Sequence, residues 1–162
     1  MNPGRIVGVF LGIVILVAVF ILPFGRHGET FFESARWNME NLEEIREIGE
    51  PGLIAMAYVI IVSFILLAIA GLVGFFPLGC GVLGIVGLAM LTVGYVLIYK
   101  PYGETFSVLD FGAGYFVAWA TSIAALAASF WKKSREKQQQ TVNITIVNQP
   151  QAPPPPPPPP PA

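Results

Sequence analysis

From Pro51 to Tyr99 the chain runs without a single charged residue. As one helix this stretch would measure about 73 Å at 1.5 Å per residue, more than twice the roughly 30 Å of hydrocarbon in a bilayer. It has to enter a membrane and fold back. The break is expected between Gly71 and Gly81, where four glycines and Pro77 gather in Gly-Leu-Val-Gly-Phe-Phe-Pro-Leu-Gly-Cys-Gly. That places helices near 53–70 and 76–99. A re-entrant loop over 71–84 is the competing arrangement, and a tight hairpin is the commoner one.

Two further apolar runs flank this stretch. Ile6 to Phe24 is long enough, at about 28 Å, to cross once. A secretory signal peptide is the rival reading, but the exit Leu22-Pro23-Phe24-Gly25-Arg26 lacks a small-x-small cleavage pattern. Residues 111–131 form the fourth run, with Asp110 placed to cap it and Lys100-Pro101-Tyr102-Gly103 ending the run before it. The composition agrees: 54% of residues are hydrophobic and 12% charged, half of what a soluble surface needs. The expected fold is all-α, a four-transmembrane-helix bundle over 1–131 with spans near 6–24, 53–70, 76–99 and 111–131.

Between the first two spans, Thr30-Phe31-Phe32-Glu33 has the spacing of a capping box. Phe32, Ala35, Met39, Leu42 and Ile45 follow at helical intervals among glutamates and arginines, which predicts an amphipathic extramembrane helix over 30–48, in the first outer loop. Its aromatic face suits either lipid headgroups or the bundle itself. Gly49 and Pro51 end it.

Small residues mark the helix-packing faces. Gly8 and Gly12 form a small-x-x-x-small pair in the first span, Gly84 and Gly87 thin the third, and Gly114, Ala118, Ser122 and Ala125 make a stripe along the fourth. Contacts within one chain are expected to use them.

Orientation rests on lysine and arginine. Phe130-Trp131-Lys132-Lys133-Ser134-Arg135 pairs an aromatic anchor with a basic cluster, the mark of a cytoplasmic exit. Four crossings then put both termini in the cytosol. The outer loop carries seven glutamates against three arginines.

Residues 132–162 are expected to form an extended, largely disordered cytosolic tail. Within it Val142, Ile144 and Ile146 alternate with polar residues, a period-two strand pattern that needs a partner's sheet edge or a second copy. The run from Pro153 through Pro157 to Pro161 is a polyproline II rod of about 28 Å, a shape that proline-reading adaptor domains bind. The sequon Asn143-Ile144-Thr145 is inert on the cytosolic side.

Chemistry is scarce. The expected spans contain no ionisable side chain other than Cys80 and the tyrosines, which weighs against an ion-coupled carrier. His27, Ser107 and Asp110 share the outer side without a recognisable triad spacing, and ordinary surface roles are expected for them. Cys80 reads as a small apolar residue. A net charge of −1 without a basic aromatic patch excludes nucleic acid as a partner. No cofactor and no metal are expected. The function anticipated is a non-enzymatic scaffold or adaptor in the lipid bilayer, its tail engaging a cytosolic protein or a second copy as a homo-oligomer. The alternative is an oligomeric passive pore or channel subunit, suggested by the glycine-rich segment and the small-residue stripe.

Overall fold

The computed structural model describes residues 3–25, 28–99 and 110–147, with side-chain surroundings for 6–25, 28–97 and 110–130. The described residues are helical in six elements: α1 (Pro3–Phe20), α2 (Phe31–Glu40), α3 (Leu42–Ile48), α4 (Pro51–Leu72), α5 (Pro77–Tyr99) and α6 (Ala113–Val147). The chain divides into two compact units, Met1–Phe130 and Trp131–Ala162. Packing is described within the first.

Three helices are long and apolar enough to cross a membrane: Pro51–Leu72, Pro77–Leu97 and Ala113–Phe130. The protein is therefore a membrane protein on the physics of its helices. The apolar part of α1, Ile6–Phe20, is shorter. The first span was expected to continue helically to Phe24. It stops at Phe20, where Ile21 and Leu22 both donate to the Val17 carbonyl. Pro23 explains the stop, because its ring drives the residue before it out of helical geometry.

Between α4 and α5 the turn takes only residues 73–76, with Pro77 starting α5 at a position where its missing N–H costs nothing. A hairpin forms rather than a re-entrant loop. α4 packs along α5, with α1 and α2 against α4.

The predicted capping box is present. The Glu33 N–H donates to Thr30 Oγ1 at 3.2 Å, and the Thr30 N–H donates to Glu33 Oε2 at 2.8 Å. The single amphipathic helix is two, however, broken at Asn41. Its side-chain amide donates to the Trp37 carbonyl at 2.8 Å, alongside its own backbone N–H, closing α2 before α3 begins. The buried face is also rotated from the expected one. Phe31, Ala35, Asn38 and Ile45 are buried, while Met39 is exposed. Asn38 tolerates burial because its amide donates to the Ser34 carbonyl at 2.8 Å. Gly49, at φ 72°, supplies the left-handed turn between α3 and α4.

One expectation fails at α6. It begins at Ala113 and continues to Val147, so the segment holding Val142, Ile144 and Ile146 is helix rather than strand. Extending an existing helix adds one hydrogen bond per residue fixed, whereas a strand gains nothing until a neighbour pairs with it. Propensity yields to that context. Pro153, Pro157 and Pro161 lie outside the described residues.

Candidate functional site

Backbones approach closely where α1 crosses the end of α4. A Cβ added at Gly12 would stand 2.5 Å from the Gly71 carbonyl oxygen and 3.0 Å from Gly74 Cα. One at Gly8 would collide with the Gly74 carbonyl and reach Pro77 Cγ at 3.0 Å. The obstacles are mainly backbone, which cannot step aside. Gly8 and Gly12 therefore meet Gly71 and Gly74 as glycine on glycine, main chain on main chain.

The same logic joins the remaining helices. Gly84 lies against Ser122, with 2.9 Å from a would-be Cβ to Ser122 Cβ, and Gly81 lies against the Leu126 backbone at 2.7 Å. Gly87 faces the Ser63 carbonyl at 3.3 Å, linking α5 to α4. Gly114 approaches the Ala18 carbonyl at 2.7 Å and Phe24 at 2.9 Å. Ala118, Ser122 and Ala125 are each fully buried. Val142, Ile144 and Ile146 sit in α6 beyond the first unit.

Hydroxyls inside the spans are turned back onto their own helices. Thr92 donates to the Leu88 carbonyl, Thr121 to Val117 and Ser122 to Ala118, each at 2.7 Å, and Ser129 donates to Leu126 at 2.6 Å. Thr92 has one proton and spends it there. The Tyr115 hydroxyl, 2.7 Å from Thr92 Oγ1, must then be the donor in the bond that ties α6 to α5. Ser63 Oγ is the exception, buried without a hydrogen-bond partner.

Higher on α4 the chemistry changes. α1 ends with the Phe20 ring 5.6 Å from Phe64. From there α2 takes over: Phe31 and Phe32 approach Phe64 at 6.0 and 5.9 Å, and Phe31 stacks on Phe24 at 4.6 Å. Farther along, Arg46 of α3 hydrogen-bonds the Tyr58 hydroxyl and lies over its ring, 5.6 Å from the centroid. So α2 and α3 run back from Phe64 toward the start of α4, and α1 runs from Phe64 toward its end.

This collar turns its charges outward. Arg36 and Glu40 pair at 2.7 Å with both side chains well exposed, and hydrogen bonding to Glu40 raises the Arg36 pKa. Hydrogen bonds from Thr30, that of its backbone N–H foremost, hold the Glu33 carboxyl below the usual carboxylate range. Glu43, Glu44 and Glu47 are exposed.

The loop after α1 is tied to both neighbours. Phe24 N–H donates to the Glu29 carbonyl at 2.7 Å, and Pro23 bridges to Thr30. The Pro23 and Phe24 carbonyls accept from Gly114 and Gly112, each at 2.8 Å, so loop carbonyls satisfy the open N–H groups at the start of α6. Sequence reasoning missed this cap, along with the partners of Gly8 and Gly12. Gly71 and Gly74 were visible only as turn residues, although their spacing is also that of a packing face.

His27 and Ser107 lie outside the described residues. Among the described residues no cluster of His, Cys, Asp and Glu could hold a metal ion. Comparison with protein-family models, curated proteins and solved structures finds no match to this chain.

Proposed function

We propose that the chain is a four-crossing, non-enzymatic membrane scaffold with both termini cytosolic, which offers the segment after Phe130 to a cytosolic partner or a second copy. The observation that carries the reading is the placement of α1. Gly8 lies level with Gly74 and Pro77 at one end, and Pro23 and Phe24 bond to the start of α6 at the other. The two ends of α1 thus match the two ends of the α6 span, which supports a fourth crossing despite its short helix.

The small residues and the glycine-rich turn that suggested a pore are taken up by contacts inside the chain. The span hydroxyls bond mostly to their own helix carbonyls rather than standing free to line a path. The basic cluster after Trp131 supports the cytosolic exit.

Two measurements test this reading. Expressed with microsomes, the natural sequon at Asn143 should stay unglycosylated, and glycosylation there overturns the orientation. Deleting residues 141–162 should change the co-purifying proteins or the oligomeric size in detergent. No change in either, or solute leakage through liposomes holding the intact protein, overturns the scaffold.

A further inference from the structure

We infer that the turn between α4 and α5 is a lipid-binding element, held beneath the headgroups with its side chains among the acyl chains of one leaflet. The inference holds whichever side of the membrane the turn faces, so it does not rest on the orientation proposed above.

Residues 71–81 carry no charge, amide or hydroxyl in their side chains. A turn in water ordinarily draws on Asn, Asp and Ser as well as Gly and Pro. Here only glycine and proline bend the chain, and large apolar groups face outward. Leu72, Phe75, Phe76 and Leu78 are 68%, 58%, 72% and 53% exposed on the protein itself. Removing such groups from water is favourable. The turn also satisfies much of its own backbone, as a segment that leaves water must. The N–H groups of Val73, Gly74, Phe76 and Cys80 donate to the carbonyls of Ile69, Gly71, Val73 and Phe76, and Pro77 brings no N–H.

Lipid is the cover this surface fits. The exposed stripe of α4, Ile65, Ile69 and Leu72, runs off the helix end into Phe75 and Phe76, and α5 carries it on through Leu78, Val82 and Val86. The tip thus continues, with no polar break, the outward faces of two helices long and apolar enough to cross a membrane. The turn is also not the outermost element at its end. Gly74 and Pro77 meet Gly8, and α1, which runs from there toward Phe64, begins five residues earlier at Pro3, about 7 Å farther out. Arg5 precedes Gly8 by three residues, so the first charge along α1 comes beyond the level of the turn. A second copy would need small residues for close approach in lipid. Gly71 and Gly74 are buried against α1 and Gly81 against α6, and the side chains left facing out are large. The turn is then out of reach of a soluble partner on that side.

The test uses the full chain with buried Cys80→Ala and one added cysteine, Phe75→Cys or Phe76→Cys. Leu72→Cys and Leu78→Cys give the same reading should a phenylalanine variant not fold. Nanodiscs of dioleoylphosphatidylcholine expose both faces of the bilayer, so access to a water-soluble maleimide reports depth and not orientation. The turn cysteines should react about tenfold more slowly than Glu43→Cys on α3, as Ile65→Cys should. Labelled in detergent with a fluorophore and returned to nanodiscs, they should be quenched by nitroxide on the acyl chains more than by nitroxide on the headgroups. Reaction as fast as at Glu43→Cys puts the turn in water and overturns the inference. Slow reaction without acyl-chain quenching overturns it too, and disulfide-linked dimers on mild oxidation then identify a second copy as the cover. Glycosylation at Asn143 would overturn the orientation and leave these outcomes unchanged.

Discussion

The two ends of α4 are covered by opposite means. Its far end and the turn after it meet α1 through glycines, with Gly71 and Gly74 against Gly8 and Gly12. From Phe64 back toward its start it meets α2 and α3 through large rings, Phe64 against Phe31 and Phe32 and Tyr58 under Arg46, beneath a skin of exposed charge. In hydrocarbon, burying more apolar surface gains nothing, so helices associate by bringing backbones close. In water, burial is itself the driving force, and bulky side chains supply it.

The comparison is broken most forcefully at the aromatic end. Phe31→Ala removes a buried ring from between Phe24 and Phe64 and should cost about 3–5 kcal/mol of collar docking. Hydrogen exchange in nanodiscs should speed across α2 and α3 and leave α1 unchanged. The converse break is Gly12→Val, whose side chain meets the Gly71 carbonyl and Gly74 Cα. About 1–3 kcal/mol of overpacking is expected, read as faster exchange and protease access in α1 with the collar intact.

Smaller effects sharpen the same contrast. Thr30→Ala removes the cap of α2 and should cost about 1 kcal/mol, seen in the first amides of that helix. Acid should act on the same cap. The Glu33 pKa is depressed in the folded protein, so its contribution is complete above the unfolded carboxylate value and is lost as pH falls through the lower, folded value. Glu33→Gln should remove that acid dependence. The smallest effect expected is from Tyr115→Phe, about 0.6 kcal/mol, because Thr92 keeps its bond to Leu88. Thermal unfolding in detergent at matched lipid content would measure it.

Features legible in the residues were those that depend on a few neighbours. The capping box of Thr30 and Glu33, the turn at residues 73–76 and the αL glycine at Gly49 each need only a short stretch of chain to form. Where two alternatives were locally close, the reading slipped. Asn41 could sit within a helix or close one, and its bond to Trp37 closes it. Asn38 is buried where Met39 was expected, its amide satisfied by the Ser34 carbonyl. The alternation of Val142, Ile144 and Ile146 is a strand pattern only if a sheet is present, and α6 arrives there first.

The amino-acid order alone determined that this protein lives in a membrane, because an uncharged stretch from Pro51 to Tyr99 has no other favourable solvent. Tertiary structure alone decided which glycines face one another, where α1 stops beside α4, and that the charged helices stand on α4 between Tyr58 and Phe64. Those outcomes depend on residues far apart in the chain meeting at contact distance. Hydropathy measures a segment against its solvent, and only packing measures one segment against another.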